Sequence, residues 1–220
     1  MVVIDWVKYL ISLAKPENIQ ALVQQIGVAY VYAVLVAIIF SETGLLVGFF
    51  LPGDSLLFAV GALSATGVLN PWLCYVLLIG AAILGDGVNY SVGRRIGPRL
   101  LGRGDGPAFS HRLVNADHIK RAHEFFELHG GKAVVLARFV PIVRTFLPFV
   151  AGAAEMKASS FLFYNITGGI GWVTICMGAG YIFGNVPIVK DNFTLVTLGI
   201  VAVSVLPMVF EIVKHRKQRK

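Results

Sequence analysis

Long apolar runs broken by short polar clusters set the pattern of this chain. Apolar residues dominate 26–40, 45–63, 72–92, 133–154, 161–183 and 193–213. A hydrocarbon core of roughly 30 Å takes about twenty helical residues at 1.5 Å each. On that measure 72–92, 161–183 and 193–213 read as ordinary spans, and 26–40 crosses only with its flanks. Two runs are interrupted from within. Leu45 to Leu63 carries Phe50-Leu51-Pro52-Gly53-Asp54-Ser55 at its middle, a turn signal with a charge. Ala133 to Ala154 carries Arg138-Phe-Val-Pro141-Ile-Val-Arg144-Thr-Phe-Leu-Pro148. Proline removes a backbone donor, and in lipid such irregular backbone survives only where protein or a water-filled cavity covers it. Both runs therefore read as re-entrant hairpins, over 41–65 and 132–155.

The remaining pattern is amphipathic. Ile4, Val7, Leu10, Ile11 and Ala14 recur at helical spacing opposite Asp5, Lys8 and Ser12, with Trp6 and Tyr9 suited to a headgroup boundary. This predicts an interfacial helix over 1–15, and the stretch lacks the marks of a removable signal peptide. Asn115 to His129 sets Ile119, Ala122, Phe125 and Phe126 against Asp117, Lys120, Arg121 and Glu124, a surface helix stopped by Gly130-Gly131.

Composition agrees with a membrane solvent. Of 220 residues 56% are hydrophobic and 14% charged, with mean hydropathy +0.75, which defines a polytopic membrane protein rather than a soluble domain. The net charge of +7 raises nucleic acid as a partner. Its distribution argues against that, because the basic residues lack interleaved aromatics and concentrate in two places. Eight Lys/Arg lie between Arg94 and Lys132, and five more between Lys214 and Lys220. Positive segments stay in the cytoplasm, so the basic loop and helix (94–131) and the tail (214–220) share that side. Three apolar runs separate them, and only if 132–155 dips in and returns does the parity agree. Internal likeness points the same way. Phe50-Leu-Pro52 matches Phe146-Leu-Pro148, and Tyr90-Ser-Val-Gly93 matches Tyr181-Ile-Phe-Gly184. The predicted fold is an all-α membrane domain over 1–220, with inverted repeats and two opposed hairpins.

Candidate chemistry lies where charge meets grease. Arginine at bilayer depth is costly and faces a partner, a cavity or a substrate; the alternative is that Arg138 and Arg144 snorkel to headgroups. Glu42, in Ser41-Glu42-Thr43-Gly44, and Asp54 bring carboxylates to the first hairpin. Asp86, Asn89, Tyr90 and Gly93 recur at i, i+3, i+4 and i+7, so one helical face presents them together, with Arg94 following. The two cysteines, Cys74 and Cys176, sit in apolar runs and read as packing residues. His111, His118, His123 and His129 lack the i, i+4 spacing of a helical metal pair, so neither metal nor cofactor is expected.

These motifs together resemble the DedA family of bacterial inner-membrane proteins, the VTT-domain or SNARE-associated type, over nearly the whole chain. They stand here as Ser-Glu42-Thr-Gly, Phe-Leu-Pro52-Gly-Asp54-Ser, Gly-Asp86-Gly-Val-Asn89-Tyr90-Ser-Val-Gly-Arg94 and Arg138-Phe-Val-Pro141-Ile-Val-Arg144-Thr. The resemblance implies facing re-entrant hairpins and a flippase for undecaprenyl phosphate driven by the proton-motive force. It makes Arg138 and Arg144 the essential arginines and Glu42 and Asp54 the hairpin acids. The residue chemistry agrees. A guanidinium offers a fixed fork of donors to phosphate oxygens, and a carboxylate at depth takes up or releases a proton as its exposure changes. Pro52, Pro141 and Pro148 would shape the hairpins; Asp86, Asn89, Tyr90 and Arg94 would extend the polar path or brace it. The expected partners are a lipid phosphate, membrane lipids and protons, with Gly168-Gly169-Ile-Gly171 packing helices within one chain or in a homodimer. A passive scramblase and a non-transporting envelope scaffold remain open, as do permanent ion pairs in place of a transport site. An enzyme acting on lipid phosphates is disfavoured, because no histidine falls at membrane depth.

Overall fold

The computed structural model describes residues 23–46, 53–101, 116–140 and 143–186, and every regular element among them is helical. The helices are α1 (Val28–Gly44), α2 (Gly53–Ala65), α3 (Pro71–Leu101), α4 (Ala116–His129), a 3-10 turn (Gly130–Lys132), α5 (Ala133–Leu136), a second 3-10 turn (Ala137–Phe139), α6 (Val143–Ala153) and α7 (Ala158–Gly184). The interfacial helix over 1–15, the run 193–213 and the tail 214–220 lie outside the described residues, as do Pro52 and Pro141.

Two helices have the length and composition to cross a membrane, Pro71–Gly97 within α3 and Ala158–Gly184. Their surfaces carry the signature of a lipid solvent. Trp72, Val76 and Leu84 on α3 and Phe163, Ile175 and Ile182 on α7 are exposed. Glu42, Asp86, Asn89, Arg138 and Asn165 are buried. A water-soluble bundle has the opposite preference.

Local sequence explains where the helices begin and end. Asn70 caps α3, its Oδ1 accepting from the Leu73 N–H at 3.1 Å, and Pro71 takes the first helical position, where no N–H is needed. The helix runs on through Arg94-Arg95 and Gly97-Pro98 to Leu101, beyond the point where the basic loop was predicted to open. Packing accounts for the extension: Gly97 is buried, and a Cβ there would collide with Ala153. α4 ends as predicted, with Gly130 at φ 56°, the left-handed residue that commonly closes a helix.

The run 133–154 is broken, also as predicted. Val140 is extended, at φ −109° and ψ 110°, because the residue before a proline is pushed out of the helical region. α6 ends in a Schellman motif: Met156 N–H donates to Ala151 O at 3.0 Å and Glu155 N–H to Gly152 O at 3.0 Å. Glu155 takes the left-handed position at φ 56°. Of the first predicted hairpin, 47–52 lies outside the described residues, and 53–65 is one uninterrupted helix.

The chain divides into two compact units, one built on Met1–Val34, Pro52–Tyr75 and Thr174–Lys220, the other on Leu35–Leu51 and Val76–Val173. In the first, α2 lies against the C-terminal part of α7. The Phe58 and Phe183 rings meet at 5.9 Å, and a Cβ on Gly61 or Gly180 would strike the facing carbonyl of Met177 or Phe58. In the second, α6 is the core element. Phe146, Leu147, Phe149 and Val150 are buried with Tyr90 and Phe161, whose rings stack at 4.1 Å. Ala122, Phe125 and Phe126 of α4 cover this cluster, so the predicted amphipathic face is the packed one.

Candidate functional site

The break at Val140 places the two arginines on either side of itself. Arg138 sits in the 3-10 turn that ends the first arm, and Arg144 in the first turn of α6. Four elements of one unit converge there, and each guanidinium meets a carboxylate. Arg144 Nη2 donates to Glu42 Oε1 at 2.5 Å, from the last turn of α1. Arg138 Nη2 donates to Asp86 Oδ2 at 2.6 Å, from α3. Neither arginine snorkels to solvent: Arg138 is 5% exposed, its acid partner 4% and Glu42 2%. The Arg144 side chain is the most open of the four, at 19%.

Glu42 stands in the last turn of α1, beside Arg144. The carboxylate on Arg138 is Asp86, which the sequence reading held only as a supporting residue on the path to the cytoplasm. Asp54 occupies the first turn of α2, in the other unit, a position where a carboxylate complements the helix N-terminus. Asn89 and Tyr90, on the Asp86 face, both donate to backbone carbonyls of neighbouring segments. Asn89 Nδ2 donates to the carbonyls of Thr43, at 3.2 Å, and Thr145, at 2.7 Å. The second bond lies beside the turn that Pro148 weakens inside α6, where a backbone donor is missing. Tyr90 OH donates to Met156 O at 2.5 Å and accepts from Arg94 Nη1 at 3.2 Å, tying α3 to the Schellman turn.

A small cavity of about 20 Å³ lies between the ion pairs, lined by Glu42, Thr43, Asp86, Arg138, Arg144, Thr145 and Trp172. That is room for a water or so. Among the described residues the buried Arg138 Nε and Asn89 Oδ1 have no hydrogen-bond partner.

Sequence reasoning missed the contribution of α7, whose run it took as an ordinary span. Asn165 Oδ1 accepts a second bond from Arg138 Nη2 at 2.7 Å, and Asn165 Nδ2 donates to Ile83 O at 3.0 Å. Trp172 lies 5.7 Å from the Arg138 guanidinium carbon and 5.8 Å from that of Arg144. Gly168 faces Arg138, and a Cβ there would come within 3.2 Å of its Cδ and Nε. The available signal was the spacing Asn165-x-x-Gly168-Gly169-x-x-Trp172, which repeats at one helical face. Gly168 and Gly169 face Arg138 and Ile83 within the chain, and a Cβ on Gly171 would meet nothing within 4 Å. Among the described residues no three His, Cys, Asp or Glu side chains gather as a metal site.

Described residues that are helical in every regular element, with apolar outer faces and ion pairs set inside, have the build of an integral membrane protein. The comparisons with known proteins agree and narrow the class. The VTT domain pattern matches residues 51–182. The chain is 47% identical over 202 residues to Protein DedA of Escherichia coli K12, covering 91% of this chain and 90% of that protein. It is 42% identical over 170 residues to a membrane protein of Mycobacterium leprae, covering 77% and 74%. It is 38% identical over 172 residues to the inner membrane protein YqjA of Escherichia coli K12, covering 78% and 76%. The chain belongs to the DedA family of VTT-domain membrane proteins. No solved structure matches it.

Proposed function

We propose that this protein is a transporter that carries a phosphate-bearing lipid across the bacterial inner membrane, with undecaprenyl phosphate as first candidate and protons as the coupling ion. One observation carries the reading: two guanidiniums, Arg138 buried and Arg144 partly buried, each neutralised by its own carboxylate, border one small cavity in a helical protein with apolar outer faces. Such charges are expensive at depth and are retained where they serve a pathway. Glu42 and Asp86 hold the phosphate-binding edges of Arg144 and Arg138 in the resting state. Protonation of a carboxylate removes the counter-charge and leaves the guanidinium fork for phosphate oxygens. A cavity of this size calls for rearrangement before a headgroup enters, which is the requirement of an alternating-access carrier. Asp54, at the start of α2, is the proposed second proton site. The broken segment around Val140 fits a re-entrant hairpin entering from the cytoplasmic side, the basic loop and tail being cytoplasmic.

The test is uptake of an isoprenoid phosphate into proteoliposomes, with phosphatidyl lipids as comparison and with or without a pH gradient. Gradient-dependent movement of the isoprenoid phosphate, abolished in Arg138→Ala, is expected. Movement indifferent to the gradient would leave a passive scramblase, and absence of any phosphate-dependent movement would leave a scaffold. The scaffold reading has one observation in its favour. Arg138 is held at 5% exposure by Asp86 and Asn165 together, as a permanent strut would be.

A further inference from the structure

The face of α7 that the ion pairs rest on suggests why two like charges can share so small a space. Both guanidinium carbons lie within 6 Å of the same indole, that of Trp172. That ring is only 2% exposed and borders the cavity between the pairs. One turn earlier Gly168 leaves the lane in which the Arg138 side chain lies, and Asn165 accepts from its Nη2. Asn165, Gly168 and Trp172 thus form one continuous strip.

We propose that this strip is a guanidinium cradle, with Trp172 the positioning residue that holds Arg138 and Arg144 at a spacing suited to a single phosphate. The inference rests on the lipid-phosphate reading above and adds residues to it. A cation is drawn to the face of an aromatic ring by the ring's quadrupole, and arginine does this while its N–H edge stays in plane and available. Attraction to the ring and hydrogen bonding to an anion therefore use different parts of the same group. At present the edges meet Glu42 Oε1 and Asp86 Oδ2. When phosphate oxygens replace those carboxylates, neither guanidinium has to leave the indole. The ring also offsets the mutual repulsion of the two cations during the exchange, when their carboxylate partners are neutral. Asn165 serves the same end on one side only, fixing Arg138 from an edge that the anion does not need.

The experiment compares the full-length protein with Trp172→Leu and Trp172→Phe, purified in detergent micelles, for binding of farnesyl phosphate against farnesol. Leucine keeps apolar bulk without a π-face; phenylalanine keeps a weaker one. Trp172→Leu is expected to bind farnesyl phosphate about tenfold or more weakly, and Trp172→Phe within about threefold of wild type, while both melting midpoints fall because a smaller side chain leaves a cavity at this 2%-exposed site. Equal losses in the two variants, or no loss in Trp172→Leu, would overturn the cradle while leaving the transporter reading standing. If wild type itself shows no phosphate-dependent binding, both fall. A second measurement covers the case in which Trp172→Leu does not fold. The chain has three tryptophans, so Trp6→Phe with Trp72→Phe leaves Trp172 as the sole indole. Its fluorescence should change on saturation with farnesyl phosphate and not with farnesol, and an unchanged signal at saturation would overturn the cradle.

Discussion

At the scale of residues the molecule is dominated by two arginines that cannot lose their charge and two acids that can. Removing one member of a buried pair strands the other, a loss of about 3–5 kcal/mol, whereas replacing both by apolar groups of similar volume is close to neutral. Arg138→Ala should therefore lower stability in chemical or thermal unfolding by about that amount. Arg138→Met combined with Asp86→Leu should restore most of it, the shortfall reflecting Asn165, whose Oδ1 also accepts from Arg138. An additive double mutant would show that the pair carries no coupling. The two arginines should differ in function. Arg144 is the more exposed of the pair, so Arg144→Lys, which keeps the charge and loses the planar fork, should fold normally yet transport at least about tenfold more slowly. A scaffold would tolerate that change.

At the scale of elements, close backbone approach decides which glycines matter. α3 and α6 cross where Gly93 faces Phe149 and Gly152 faces Tyr90, and a Cβ on either glycine would meet backbone atoms of the other helix. Gly152→Val forces the helices apart across the Phe146–Val150 cluster, and overpacking of this kind costs about 1–3 kcal/mol or more. Gly80→Ala on the same α3 meets nothing within 4 Å, so it should be neutral or stabilising by about 0.5–1 kcal/mol through helix propensity alone. Melting midpoints of the two variants should therefore move in opposite senses, or only the first should move. The break at Val140 belongs to this scale too. It was legible because the residue before Pro141 is restricted away from the helical region, whereas Pro148 sits inside the continuous helix α6. The helical continuation of α3 through Gly97-Pro98 was not legible, because it depends on α6 lying against Gly97.

At the scale of the whole molecule the proposal concerns sidedness and coupling. If the segment 132–155 dips in and returns, the basic loop and the tail lie on one side. Single cysteines at Ser110 and Gln218, in a background with Cys74 and Cys176 replaced, should then be labelled by an impermeant thiol reagent from the cytoplasmic face alone. A cysteine at Gly67 should be labelled from the opposite face. Labelling of Ser110→Cys and Gln218→Cys from opposite faces would convert the broken segment into a full crossing and remove the hairpin from the proposal. The pH-gradient dependence proposed for transport belongs to this scale as well, since only a protein with two faces can convert proton uptake into directed movement.

What the sequence determined by itself was the solvent and the class. Apolar runs of spanning length, broken by prolines and by buried-type charges, are incompatible with water, and local rules sufficed to place α3, α4, α7 and the break at 140. The same runs marked Arg138, Arg144 and Glu42, because an ionised side chain is conspicuous in an apolar context. Tertiary structure alone decided the partnerships. That Arg138 takes Asp86, that Asn165 and Trp172 stand beside it, and that Gly168 makes room for its side chain all depend on which face of α7 turns toward α3. Helical periodicity says which residues share a face and not which neighbour that face meets. An asparagine or tryptophan in an apolar run looks like packing until a charge from a distant segment is set against it.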